Sequence, residues 1–297
     1  MVQSLVYTEH EGARRFLAVA QATLERKESQ NGLILGVALR LVSEPRAYGG
    51  DPYLATIESA SGLLAAAVMT PPHPLQLFAK EDRNPEALER VARGLLQGKW
   101  PVPGVLAREP LAEAFAAIWR EKTGEDWRTG MRQTVYELRR VVHPPYPPGE
   151  FRAAIPEDLE LVRRWARGFH EDCFGAGQHE RPVASAEERV RKGELFLWVD
   201  GVPRSMAART RPTWHGEAVG FVYTPPSERR KGFAAAVVAR LSQRILDDGK
   251  EFWTLFANAA NPTSNGIYQR IGYRAIGRVV DLHFSCRAED RSAGTAG

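Results

Sequence analysis

Three consecutive basic residues, Arg229, Arg230 and Lys231, stand directly before Gly232 and a run with helical spacing. A strand-like run, Ala218–Thr224, leads into them and ends at Pro225 and Pro226, which cannot continue a hydrogen-bonded ladder. The helix carries its apolar stripe at Phe233, Val237, Leu241 and Ile245, a face suited to packing on a sheet. Its first turn holds only Gly, Phe and Ala, none with a side chain able to cap the free backbone N–H groups. An anion caps them instead. Several free amides at the positive end of a helix dipole make a phosphate site, and Gly232 lets a ligand come close to the backbone. The competing reading is a solvated basic turn with water on the amides. No GxxxxGK followed by Ser or Thr is present, and no GxGxxG follows a strand, so the two other common phosphate loops are excluded.

A second cluster lies at 261–273. Asn261 before Pro262 reads as an N-cap with proline at the first helical position, and Gly272 reads as the residue that stops the helix. Capping alone accounts for Asn261. Asn265 falls one turn later, on or near the same face, within reach of whatever the basic turn binds.

The elements that hold these clusters alternate between helix and strand. Four prolines in five positions, Pro144, Pro145, Pro147 and Pro148, read as a stiff linker over 143–149 that divides the chain into near-equal halves. In the first half the spacing predicts helices at Glu11–Lys27 and Gly32–Val42, strands at Tyr53–Glu58 and Leu63–Met69, and a helix at Pro85–Leu96 capped by Asn84. A helix at Glu109–Lys122 stopped by Gly124 and a strand at Gln133–Val142 close it. The second half has helices at Pro156–Glu171 and Ser185–Lys192 and strands at Leu195–Val199, Pro203–Arg209 and Ala218–Thr224. There follow a helix at Gly232–Asp247, a strand at Phe252–Ala257, a helix at Pro262–Ile271 and one or two strands over Tyr273–Phe284. The similarity of the halves is one of order, with little residue identity.

The two clusters together resemble the GNAT acyltransferase superfamily. Arg229, Gly232 and Ala234 match its Q/R-x-x-G-x-G/A acetyl-CoA signature, and the segment from Val222 to Arg229 looks like one bacterial branch. Asn261, Tyr268, Gly272 and Tyr273 match its N-x6-Y-x3-G-F/Y block, in the expected order and one helix and one strand later. The resemblance covers about Glu150–Phe284. It implies acetyl-CoA as cosubstrate without a metal, and direct transfer of the acetyl group to an amine of a small molecule or peptide. It implies that Val222 and Thr224, with Tyr223 between them, offer main-chain groups to the pantetheine arm. The amides of Arg230, Lys231, Gly232, Phe233 and Ala234 would hold the pyrophosphate, with Arg229 adding charge and Asn261 and Asn265 near the cofactor. Arg230 stands where many members have glycine.

The tyrosine at position 268 often serves that family as a general acid, giving a proton to the departing thiolate. A phenol with its ordinary pKa of about 10 would then impose a loss of rate at high pH. The competing reading is a core tyrosine packed under the sheet. No general base is evident. Glu217 is a candidate, weighed against an exposed strand-end carboxylate, and His170, His179 and His215 have no spacing to support them. Cys173 reads as a buried thiol rather than a nucleophile. The first half has no such loop. Its Thr70, Pro71 and Pro72 echo Thr224, Pro225 and Pro226 without the basic turn, so it reads as a degenerate GNAT-like domain that completes a substrate cleft, with His73 a loop histidine.

The fold expected is therefore α/β: a degenerate GNAT-like domain over 1–142, the linker, an acetyl-CoA-binding GNAT domain over 150–286 and a flexible tail over 287–297. Composition agrees with this class. The chain has 297 residues, 43% hydrophobic and 26% charged, close to the soluble globular average. Its longest apolar stretches fall far short of the ~20 residues that span a bilayer, and no secretory signal is expected at Met1–His10. Two cysteines, Cys173 and Cys286, without a CxxC or Cys/His cluster, argue against a disulfide scaffold or zinc site and fit a reducing cytoplasm. The net charge of +4 is small, leaving nucleic acid a weak expectation. A non-catalytic acyl-CoA-binding regulator and a nucleic-acid-associated basic protein are the alternatives to an acetyltransferase. Oligomeric state is not legible.

Overall fold

The computed structural model describes residues 4–82, 84–175 and 180–285. Ten helices and strands come first: β1 (Val6–Glu9), α1 (Ala13–Leu24), α2 (Gly32–Ser43), β2 (Tyr53–Ser59), β3 (Gly62–Met69), β4 (Leu75–Ala79), α3 (Pro85–Gln97), β5 (Gly104–Arg108), α4 (Glu109–Thr123) and β6 (Asp126–Leu138). The same order then recurs: β7 (Glu150–Ala153), α5 (Leu159–Phe174), α6 (Glu180–Arg191), β8 (Leu195–Asp200), β9 (Val202–Thr210), β10 (Gly216–Tyr223), α7 (Phe233–Asp247), β11 (Phe252–Asn258), α8 (Pro262–Ile271) and β12 (Arg274–Ser285). The expected α/β class with a duplicated order is present.

Local sequence chemistry sets the ends of these elements. The N–H of Ala87 donates to Asn84 Oδ1 at 3.1 Å, capping α3 ahead of Pro85. Ser264 N–H donates to Asn261 Oδ1 at 3.1 Å, capping α8. Gly124 and Gly272 stop α4 and α8 at φ of 76° and 107°, the left-handed region that glycine enters without steric cost. Strand β8 shows why an unbroken apolar run can be a strand. Leu195 and Leu197 pack towards α5 and α6, while Phe196 and Trp198 pack towards α7. With helices on both faces, alternation disappears from the sequence.

Two compact units result, one spanning Met1–Gln133 with Gly277–Gly297 and the other Thr134–Ile276. In the first, the strand order is β1-β2-β3-β4-β5-β12, antiparallel except for the parallel pair β4–β5. Helices α1 and α2 cover one face around Phe16, Leu35, Leu54 and Val68, and α3 and α4 cover the other around Tyr53, Leu75, Val105 and Phe115. In the second, the order is β7-β8-β9-β10-β11-β6, with β10–β11 the parallel pair. Its core centres on Trp253, whose indole N–H donates to the Ser242 carbonyl at 2.8 Å, and on the four stripe residues of α7, all buried.

These boundaries differ from a division at the proline-rich segment into 1–142 and 150–286. Residues 141–147 do lack helix and strand. The units instead divide inside β6 and β12, because each repeat's closing strand joins the other repeat's sheet. Strand β12 pairs with β5 from Val279↔Arg108 to His283↔Gly104 and buries Val280 and Leu282 in the first unit's core. A strand pairs with whatever edge is open beside it, since an uncovered edge leaves a row of unsatisfied backbone groups. The expected tail at 287–297 lies outside the described residues, as do His179 and Cys286.

Candidate functional site

The site is built where β10 leaves its neighbours. The β10–β11 register covers Gly216–Ala218 against Phe252–Thr254 and goes no further among the described residues. On its other side β10 shifts register against β9 between Gly220 and Tyr223, so that Phe221 and Val222 oppose one residue of β9. This is a β-bulge, a device that takes main-chain groups out of the ladder and re-aims side chains. Phe221 adopts φ 52°, costly for an aromatic residue, and is held there by Phe169, its ring 5.3 Å away, and by the Arg189 guanidinium over its face.

Beyond the bulge, a 3-10 turn at Pro226–Glu228 leads to Arg229, Arg230, Lys231 and Gly232. Arg230 and Gly232 have φ of 64° and 88°. Arg230 thus takes a left-handed backbone, which a residue with a Cβ adopts at a cost. Helix α7 starts without a side-chain cap, and its first backbone bond runs from Ala236 N–H to the Gly232 carbonyl at 3.0 Å. The amides of Phe233, Ala234 and Ala235 therefore have no acceptor within the helix.

The three basic residues differ in use. Arg229 donates from Nε to the Thr224 carbonyl at 3.0 Å, pairs with Asp172 of α5 and lies over the Tyr223 ring. Lys231 pairs with Glu228 at 3.1 Å, which Arg204 also contacts at 3.2 Å. Arg230 makes no ion pair among the described residues and is exposed. Arg229 locks the loop, and Arg230 is left exposed.

The strand candidates separate in the same way. Val222 lies in the bulge. The Tyr223 carbonyl accepts from Ser205 Oγ at 3.0 Å, and its side chain packs on α5 against Trp165 and the open surface of Gly168. The Thr224 carbonyl holds Arg229, and its hydroxyl bonds to Ser205 at 2.8 Å.

Asn261 caps α8, as its position before Pro262 predicts. Asn265 is committed at both ends: Nδ2 donates to the carbonyls of Asn258 and Asn261 at 3.0 and 2.7 Å, and Oδ1 accepts from the Tyr136 hydroxyl at 2.9 Å. It braces the β11–α8 turn, and no donor remains for a ligand. Tyr136, on β6 and 129 residues away, is the residue that sequence spacing could not find. The Tyr268 ring lies 6.2 Å from that of Tyr136 and 5.9 Å from that of Tyr273. Its hydroxyl forms no hydrogen bond among the described residues, and burial pushes its pKa well above the ordinary tyrosine value. This corrects the expectation of a rate loss near pH 10, since the phenol stays protonated past that point. Tyr273 instead bonds to Ser242 Oγ at 2.9 Å.

Glu217 is not an exposed strand-end carboxylate. It is buried, and Arg209 holds both its oxygens at 3.0 and 3.2 Å through Nε. Burial raises its pKa and Arg209 opposes that rise. The pair closes the parallel end of β10, and its geometry is that of a structural ion pair. Cys173, on α5, is partly buried, and burial with the charge of Asp172 lifts its thiol to about 11, so it stays protonated at neutral pH. Among the described residues no three His, Cys, Asp or Glu side chains gather as metal ligands, and no helix is long and apolar enough to cross a membrane.

In the first unit, the place equivalent to the basic loop is the segment from β4 to α3. Thr70, Pro71 and Pro72 lie one connection earlier, between β3 and β4, so their likeness to Thr224, Pro225 and Pro226 is one of composition. At the true equivalent, Asn84 caps α3 and Glu86 adds negative charge to its first turn. Arg108 of β5 reaches across to donate to the Ala79 carbonyl at 2.7 Å and pairs with Asp82 at 2.8 Å.

The model of the FR47-like protein family matches residues 201–280, which span the bulge, the basic loop and Tyr268. No curated protein sequence matches the chain. Among solved structures, a Drosophila protein superposes with a TM-score of 0.67 at 12% identity, covering 95% of this chain and 99% of its own. A GCN5-related N-acetyltransferase from Sphaerobacter thermophilus gives 0.57 at 16% identity, covering 95% of both chains. A tandem GNAT protein from the clavulanic acid biosynthesis pathway gives 0.56 at 13% identity, covering 95% of this chain and 98% of that one. The chain thus has the fold of GNAT acetyltransferases, and its residues 201–280 match the FR47-like family.

Proposed function

We propose that the second unit binds acetyl-CoA at the Thr224–Ala234 loop and transfers its acetyl group directly to an amine. The observation that carries this reading is the uncapped start of α7, set behind a β10 bulge and beside the unpaired guanidinium of Arg230. The fit is chemical: free amides and a positive dipole end suit a pyrophosphate, and main chain outside a ladder suits an amide-bearing arm.

Acetyl-CoA supplies a thioester already activated towards amines. The amides of Phe233, Ala234 and Ala235 bind the phosphates, Arg230 adds charge, and Gly232 keeps the approach clear. Its nearest neighbour to a Cβ is Pro147 at 3.7 Å. The main chain of Val222 orients the pantetheine. Asn265, Asn261 and Tyr136 hold the turn that carries α8, and α8 carries Tyr268. The Tyr268 hydroxyl delivers a proton to the departing sulfur. The proton is on the oxygen at neutral pH, as for any tyrosine. Burial makes it harder to give up, so the transfer depends on the thiolate forming directly beside it.

A panel of primary amines with acetyl-CoA, followed by free-thiol release, tests the proposal. Release above the hydrolytic background with at least one amine is expected. Tight CoA binding with no amine consumed would favour the reading as a CoA-binding regulator.

A further inference from the structure

The proline-rich segment between β6 and β7 is tied down at both ends. At its start the Val142 N–H donates to the Ile271 carbonyl at 2.7 Å. Near its end the Pro148 carbonyl accepts from the Trp198 indole N–H at 3.0 Å. Between these ties each proline ring fixes its own φ, so the segment has little freedom. Pro147 Cδ lies 3.7 Å from where a Cβ on Gly232 would be, so the segment borders the loop ahead of α7. It belongs wholly to the second unit.

Tyr146 is the side chain that this segment presents. Trp198 stacks on its ring, with 5.8 Å between centroids and 10° between planes. Its hydroxyl is bonded to His143 Nδ1 at 2.6 Å. The ring is thus fixed in orientation, yet it is 38% exposed. Arg240 of α7 brings its charge to the same ring. That arginine is exposed and makes no ion pair among the described residues. An ordered aromatic face open to solvent, with an unpaired guanidinium beside it, offers a surface for a base and a charge for a phosphate.

We propose that this segment binds the 3′-phosphoadenosine end of acetyl-CoA, with the adenine on the open face of Tyr146 and the 3′-phosphate at Arg240. The inference rests on the reading of the loop at 224–234 as the acetyl-CoA site. In that cofactor a single ribose joins the pyrophosphate to the adenine, and the same ribose carries the 3′-phosphate. The protein has the matching order: Pro147 borders the loop, Tyr146 precedes it directly in the chain, and Arg240 faces Tyr146. Because Trp198 and His143 already hold the ring, stacking a base on it immobilises little further.

The test is calorimetric titration of the full chain with three ligands: CoA, dephospho-CoA, which lacks only the 3′-phosphate, and 4′-phosphopantetheine, which lacks the nucleotide. Tyr146→Ala should weaken CoA binding about tenfold, the size of one base–aromatic stack, and leave phosphopantetheine binding unchanged. Tyr146→Phe, which keeps the ring, should bind CoA as wild type does. Arg240→Ala should weaken CoA binding about threefold, less at high salt, and leave dephospho-CoA binding unchanged. Full CoA affinity in either alanine variant would overturn the proposal and leave the acetyl-CoA reading standing. Equal losses of CoA and phosphopantetheine in Tyr146→Ala would also overturn it, because the segment would then only prop the loop. Wild type that binds none of the three would remove the acetyl-CoA reading, and this inference with it.

Discussion

Helices α3 and α7 follow the equivalent strand in the two repeats, yet they begin with opposite chemistry. Helix α3 satisfies itself: Asn84 accepts from Ala87 N–H, Pro85 has no N–H to satisfy, and Glu86 meets the dipole. Helix α7 has Gly232 at its cap position, no acid in its first turn and free amides. The strands in front differ in the same sense. Arg108 of β5 occupies the Ala79 carbonyl at the end of β4, whereas the bulge in β10 leaves Val222 outside the ladder. Even the seventh residues of α4 and α8 differ by one hydroxyl, Phe115 against Tyr268. On the proposed reading, one architecture serves as a closed structural unit or as an anion-binding one, according to a handful of terminal residues.

The sharpest way to press the two repeats together is Tyr268→Phe, which gives α8 the side chain of α4. With an amine that reacts well, kcat should fall by roughly 10²–10⁴, the size of a general-acid contribution, with CoA affinity nearly unchanged. Because burial raises the tyrosine pKa, wild type should keep its rate up to at least about pH 10, where an ordinary phenol would begin to ionise. A core tyrosine predicts an intact kcat and a modest change in Tm.

Next in size is Gly232→Val. Valine at φ 88° is strained, and its branch obstructs the amides. CoA affinity should drop about 100-fold, which corresponds to ~3 kcal/mol. Arg230→Ala should cost less, about three- to fivefold, and the loss should shrink with added salt, because the side chain is exposed. The smallest effect belongs to the other repeat. Asn84→Ala should lower stability by about 1 kcal/mol through the lost cap and leave CoA binding untouched. A thermal melt beside a CoA titration separates the two.

The sequence carries the proposed anion site well because its determinants are consecutive. The proline stop, the basic turn, the missing cap and the apolar stripe of α7 all act within about 25 residues. The caps at Asn84 and Asn261 are legible for the same reason. What escapes is whatever depends on distant pairing. Tyr136 supports Asn265 from a strand in the other half of the sequence, and the exchange of β6 and β12 has no local signal. Short strands such as β1, β4, β5 and β7, four or five residues each, give too few alternations to read. Glu217 looks like an exposed acid until Arg209 and burial are seen around it. The echo of Thr224 and its prolines at Thr70 misleads because composition does not fix which connection a segment occupies.

The central claim, that one repeat binds the cofactor at an uncapped helix start and the other does not, is tested most directly by calorimetric titration of CoA into wild type and Gly232→Val. The account predicts one site per chain in wild type and its near-complete loss in the variant, with the variant still folded by circular dichroism. Two equivalent sites in wild type, or one site of undiminished affinity in Gly232→Val, would contradict it.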